Sequence, residues 1–448
     1  MKGIAMKKLL LKIIFLSVFM IPAASAQQAA ALTLDECVEI ALQNNPLILQ
    51  SEFHVRMAGK DVAIARAGFL PDISAGLGYN HSTVGPSSQM RIDPRTGIPV
   101  PVQPNEISSW ASSATASVSQ TFNGGSDYQN YMQSRNLKKS AEFGLEATKQ
   151  NIIFLVKQRY YNLIKQQKLL EVQKKALESA EQSYKLSQVL FEVGKAPKSD
   201  VLQAVVQKNE SELAVIESEN LLSIARSALN HTLGFDVERM IEVVDDREIP
   251  ELDLTYENAA ETGRLHHPEL LKTQFDLKAS QNNIGLAVSR FLPSLSVYAG
   301  YSWRHEKFSR IGDLLDKDYN WYTGVSLSIP VFQGFSRIAT LGKARLNFQY
   351  QEEVLTQTQK NIAIEVKEAY FLARQARKKV SMTEDGIKAS EANLRLAEEK
   401  YKLGSGTILD QIIAQVSHTQ AQSNYLHALY EYKLGLARLE RAMGQLKR

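Results

Sequence analysis

The sequence predicts a mixed α and β fold, mainly α, made of two tandem copies of one unit. Four membrane β-strands continue into long antiparallel helices. Three observations carry that prediction. The phrase FLPDISAGLGY at 69–79 returns as FLPSLSVYAGY at 291–301. The two 65-residue stretches 126–190 and 336–400 hold no proline. Four short segments alternate apolar with small polar residues.

The chain of 448 residues is long enough for two or three ordinary domains. It opens with Lys2, Lys7, Lys8 and Lys12 around the apolar run Leu9–Ile21, followed by Ala24-Ser25-Ala26. Residues 1–26 therefore read as a cleaved signal peptide. As a membrane anchor the run is too short to span comfortably. Beyond it, 48 basic residues balance 48 acidic ones. Such a neutral body gives no electrostatic argument for nucleic acid as partner. Cys37, the only cysteine, does not directly follow the cleavage site, so lipoprotein processing lacks its thiol. One cysteine also excludes an internal disulfide and a cysteine metal cluster. No later segment is apolar over transmembrane length, so the mature chain is soluble or enters a membrane as strands.

The repeat extends well past its eleven-residue signature. At an offset of 222, residues 32–79 overlie 254–301, matching Thr33 with Thr255 and Pro46 with Pro268. At an offset of 210, residues 156–234 overlie 366–444. The units divide as 27–245 and 246–448. Each reads as helix, strand, loop, strand, long helix, turn and long helix. The first holds 12 extra residues between its strands, in a segment with five of the thirteen prolines. Loops absorb such differences most easily.

Strands are expected at about 71–81, 111–122, 293–303 and 319–331. Ile73, Ala75, Leu77 and Tyr79 alternate with Asp72, Ser74, Gly76 and Gly78, and the other three segments follow suit. The polar faces are mostly serine, glycine and threonine, with few of the charges of a soluble surface. Trp110, Trp303 and Trp321 fall at the loop-side ends, near Tyr79 and Tyr301. Amphipathic rings at one level predict an interfacial girdle and contact with lipid. Open strand edges are not tolerated in lipid, and bacterial barrels begin at about eight strands. Two chains are the minimum, and three would give twelve strands.

Helical hairpins are expected over 126–234 and 336–445. Val156, Leu163, Leu170, Leu177, Tyr184 and Phe191 recur every seven residues, as do Val366, Ala373, Val380, Ile387, Leu394 and Tyr401. Seven-residue spacing is coiled-coil spacing. Gly194 and Gly404 suit a left-handed helix C-cap. Thr407 with Asp410 has the spacing of a capping pair, and Pro197 suits a first helical turn.

Taken together, the duplicated unit, the two FLP…S…GY strand entries, the FNGG and FQGF strand exits and the two [FY]-x-x-G…D turns resemble the TolC-like outer-membrane efflux family. The resemblance spans essentially the whole mature chain. It implies a homotrimer in the outer membrane of a Gram-negative bacterium: a 12-stranded barrel continuous with a periplasmic α-helical barrel. It also implies the exit duct of a tripartite efflux system, carrying small molecules or secreted cargo with a periplasmic adaptor and an inner-membrane pump. Gly194, Gly404 and Thr407 match the adaptor-contact turns, Asp410 the acidic ring at the periplasmic entrance, and Tyr401 with Asp200 an entrance latch. Ile413 stands where many relatives carry a second acid, and Gly406 where some carry a latch arginine. A weaker latch and a single ring follow. Both aspartates also suit plain stabilisation of a helix N-terminus.

The alternative is a soluble periplasmic coiled-coil adaptor, which leaves the girdled strands without purpose. An enzyme finds little support. His266-His267-Pro268 aligns with Asn44-Asn45-Pro46 and reads as a helix end, Cys37 as a buried thiol, and no phosphate loop or nucleophile elbow stands in a suitable context. No catalytic residue, metal or cofactor is expected. The segment 235–254 offers no readable chemistry.

Overall fold

The computed structural model describes residues 31–86, 89–102, 106–245 and 248–446. The predicted signal peptide lies outside the described residues. The first unit runs α1 (Leu34–Asn44), α2 (Pro46–Ala67), β1 (Asp72–Val84), β2 (Gln89–Ile92), β3 (Pro99–Val102), β4 (Ile107–Asn123), α3 (Ser126–Glu192) and α4 (Lys198–Leu233). The second runs α5 (Tyr256–His266), α6 (Pro268–Ser289), β5 (Ser294–His305), a 3-10 turn (Phe308–Asp313), β6 (Tyr319–Ser328), α7 (Ser336–Lys402) and α8 (Ile408–Ala442).

Each unit begins with two helices where the sequence suggested one. Pro46 and Pro268 are responsible. A proline has no N–H to continue the helix before it, yet suits the first position of a new one. Asn45 caps α2 by accepting the Leu47 N–H at 2.9 Å. His267 caps α6 in the same way, its Nδ1 accepting the Glu269 N–H at 3.3 Å.

β1, β4, β5 and β6 form one antiparallel sheet in the order β1-β4-β5-β6. Asp72 pairs with Ser119, Arg304 with Ser113, and Ser294 with Ser328. The units thus join through β4 and β5, leaving β1 and β6 as the sheet's unpaired edges among the described residues. Pairing of β1 with β4 continues to Val84 and Ile107, beyond the alternating span. β6 stops at Ser328, just before Pro330, which could not donate to a ladder. The extra residues of the first unit carry a small ribbon, β2 with β3.

α3 and α7 each hold 67 residues, roughly 100 Å of helix. Near the sheet the helices lie side by side as α2-α3-α6-α7; at the far end the order is α4-α3-α8-α7. Their seven-residue rows face these neighbours. Val156, Leu163, Val366, Ala373 and Val380 are buried, and of the twelve only Phe191 is exposed.

The largest core lies at the waist, where α1, α3, α4 and α8 meet around Val38, Val156, Leu163, Leu229 and Leu233. Cys37 is fully enclosed there, and burial pushes its thiol up to about 12. A second core sits around the repeat counterparts Val366 and Leu439.

Candidate functional site

Each hairpin tip is closed by backbone chemistry. At the first, Lys195 N–H donates to Leu190 O (2.7 Å) and Gly194 N–H to Phe191 O (2.9 Å). The second repeats the pair, with Ser405 N–H to Lys400 O (2.9 Å) and Gly404 N–H to Tyr401 O (3.0 Å). These paired bonds are a Schellman cap, which needs a left-handed residue. Gly194 and Gly404 both supply it at φ +74°.

The helices that follow start differently. Thr407 Oγ1 accepts the Asp410 N–H at 3.2 Å, and Asp410 Oδ2 accepts the Thr407 hydroxyl at 2.7 Å and N–H at 3.1 Å. This is a complete capping box. The hydroxyl and then the N–H hold the Asp410 carboxyl below the usual range, helped by Lys400. α4 instead begins behind Pro197 with no side-chain cap. Asp200 is half-buried there, whereas Asp410 is exposed.

Tyr401 and Phe191 are repeat counterparts with opposite fates. Phe191 is exposed; Tyr401 is buried, and its hydroxyl has no hydrogen-bond partner among the described residues. Burial first, and the Asp200 charge second, push the Tyr401 hydroxyl above its ordinary range. No hydrogen bond joins Tyr401 to Asp200 among the described residues. The polar contacts that do cross here come from α8. Gln411 Nε2 donates to Ser183 Oγ at 2.9 Å, and Gln415 Nε2 donates to Ala176 O at 3.0 Å. Both glutamines are buried. Their spacing of four on one helix face was a readable signal, although nothing in sequence names their partners.

The sheet has two unlike faces. Ile73, Leu77, Val325 and Leu327 stand exposed on one. On the other, hydroxyls bridge strands, Ser74 to Ser117 at 2.8 Å and Thr121 to Ser296 at 3.0 Å. Tyr298 lies across Gly324 and Tyr322 across Gly300, so closely that a Cβ at either glycine would overlap the ring.

The five predicted girdle aromatics share the apolar face but not its exposure. Trp110 stacks with Tyr79 (5.3 Å between ring centres) and His81 (4.0 Å), and Trp321 meets Tyr301 edge-on at 4.9 Å. Trp110, Trp321 and Tyr79 are exposed. Trp303 and Tyr301 are buried, with Leu314 packed against their cluster and the Tyr301 hydroxyl donating to Leu314 O. Alternation fixes the face of a side chain, not what the following loop lays over it.

In the unreadable segment 235–254, the described residues 235–245 and 248–254 lie as a strap across the waist. Leu32 N–H donates to Glu242 O (2.9 Å) and Val244 N–H to Leu32 O (3.1 Å). Tyrosines of α8 hold it down: Tyr430 donates to Asp245 Oδ1 (3.1 Å) and Tyr432 to Pro250 O (2.7 Å). Backbone acceptors without periodicity leave no trace in sequence.

Among the described residues no helix is long and apolar enough to cross a membrane, and no group of three or more His, Cys, Asp or Glu side chains could hold a metal ion. The model of a family described as outer membrane efflux protein matches residues 37–235 and 260–445. The chain belongs to the outer membrane efflux protein family. It is an outer-membrane channel, the exit duct of a tripartite efflux system, with its long helices on the periplasmic side. The family's members are channel proteins. Outer membrane protein TolC of Vibrio cholerae is 23% identical over 95% of this chain and 94% of its own. Outer membrane efflux protein BepC of Brucella suis is 21% identical over 94% and 87%. The crystal structure of the Campylobacter jejuni CmeC outer membrane channel superposes with a TM-score of 0.81, covering 92% of this chain and 86% of that one at 19% identity.

Proposed function

We propose that three copies of this efflux protein close head to tail into a 12-stranded β-barrel, continuous with a periplasmic tube of helices through which cargo leaves the cell. The observation that carries this is the sheet order β1-β4-β5-β6, which leaves two unpaired edges behind an exposed apolar face. Open edges have no place in lipid. An eight-stranded barrel is filled by its own side chains, so two copies leave no duct. Twelve strands do. The helices support the same closure: one flank ends in α2 and α4, the other in α7, and each exposes large apolar residues such as Phe53, Ile224 and Phe371. Unlike flanks make a heterologous interface, the kind that generates a ring when its rotation closes.

In this reading the mature chain, freed of residues 1–26, is two units, 27–245 and 246–448. The turns at Gly194, Gly404 and Thr407 meet a periplasmic adaptor and, through it, an inner-membrane pump. Asp410 supplies the entrance ring, and Tyr401 with Asp200 closes it. Trp110, Trp321 and Tyr79 sit at the lipid interface, with Trp303 and Tyr301 behind them. No catalytic step is assigned. Purified mature protein should run as three copies in detergent and give discrete conductance steps in a planar bilayer. A monomer that stays in the periplasmic fraction would instead support the soluble adaptor reading.

A further inference from the structure

The wall of the bore holds very little charge. Across β1, β4, β5 and β6 the formally charged residues are Asp72 and Arg304; His81 and His305 are the other titratable bases. Asp72 and Arg304 stand on the polar face, in line with Ser74, Ser117, Thr115 and Ser302. Asp72 lies opposite Ser119, and Arg304 opposite Ser113. Six residues of β4 separate those levels, about 20 Å of strand. The acid is at the helix end of the wall and the base at the loop end. Both are exposed, and neither carries an ion pair among the described residues. Asp318, whose carbonyl accepts the Arg304 N–H, turns its carboxylate toward His305 on the opposite face, at 3.9 Å, and Glu306 follows two residues after Arg304. Between the two levels the face is hydroxyl, glycine and tyrosine, with the neutral amide of Asn320.

We propose that Arg304 forms a cationic ring at the outer mouth, opposed by a ring of Asp72 at the inner end of the bore, and that this pair sets the charge preference of the barrel. The inference rests on the closed trimer proposed above, since only closure turns one residue per copy into a ring. Rings of charged side chains select ions by sign, and a narrow wall of few charges leaves little to screen them. The Arg304 ring disfavours cations at the outer mouth and favours anions. The Asp72 ring does the reverse at the inner end. A bore of this kind discriminates at its two ends separately from Asp410, which belongs to the far tip of the helices.

The test is the potassium-to-chloride permeability ratio of single channels of the mature protein under a salt gradient. Arg304→Glu should raise the ratio at least twofold, Arg304→Gln should raise it less, and Asp72→Asn should lower it. Arg304→Lys should keep the wild-type value, because the ring needs the charge and not the guanidinium. If Arg304→Glu makes normal channels with an unchanged ratio, or Arg304→Lys shifts it as far as Arg304→Glu, the assignment is wrong. If the wild type forms no conducting trimer, the barrel reading and the rings fall together.

Discussion

Asp410 performs two tasks with one carboxylate. Oδ2 accepts the Thr407 hydroxyl and N–H, Thr407 Oγ1 accepts the Asp410 N–H in return, and the charge stays exposed. Because Thr407 holds its folded pKa below the usual range, the charge contributes fully above the unfolded value and is lost only as pH falls through the lower, folded one. If Asp410 forms the proposed entrance ring, the cation preference such a ring of carboxylates confers should therefore be flat between pH 8 and pH 5 in a planar bilayer. A drop across that window would show that repulsion within the ring outweighs the capping bonds. Thr407→Ala leaves the charge and removes the cap, at a cost of about 1 kcal/mol. Hydrogen exchange in the first turn of α8 should quicken by about fivefold while selectivity holds. At the sheet, Gly300 sets a different constraint: its backbone is ordinary, but the Tyr322 ring occupies the space of a Cβ. Gly300→Ala should cost about 1–3 kcal/mol by overpacking. The melting temperature of the detergent-solubilised protein should fall, and the second change Tyr322→Ala should restore part of it.

At the scale of elements, sequence disclosed what backbone chemistry dictates locally. Gly194 and Gly404 are left-handed caps because nothing else fits without strain, so both turns were legible to the residue. Pro46 and Pro268 carried an equally local message: the helix end before each was legible, and the second helix that each one starts was not. Which tip residue is buried was not legible. Tyr401 and Phe191 occupy matching places in matching hairpins, and only packing between hairpins separates them. That packing is partly polar, through Gln411 on Ser183 and Gln415 on Ala176. Gln411→Ala removes one buried donor and leaves Ser183 without it, a loss of about 1–2 kcal/mol at the contact. The expected result is several-fold faster protease cleavage near residues 176–190, with the barrel unchanged. Unaltered cleavage would mean that the apolar rows alone hold the hairpins together.

For the whole molecule, the decisive asymmetry is between the two faces of one sheet. Leu77 and Thr115 lie one register step apart, Leu77 opposite Ala114 and Thr115 opposite Gly76, yet they point to opposite sides. If the apolar side meets lipid, Leu77→Arg places a charge near the middle of the wall, where it costs about 2–4 kcal/mol. Thr115→Arg puts the same charge into the aqueous bore and pays no such penalty. The amount of assembled protein in the outer-membrane fraction should fall at least tenfold for the first variant and stay within twofold for the second. In the proposed trimer the second should instead change conductance, since it adds three cations to a bore whose strands carry only Asp72 and Arg304 as formal charges in each copy. Equal losses would indicate that the sheet is packed in protein on both faces. Reversed losses would mean that the apolar face is the inner one, and the duct would then have to be greasy rather than wet.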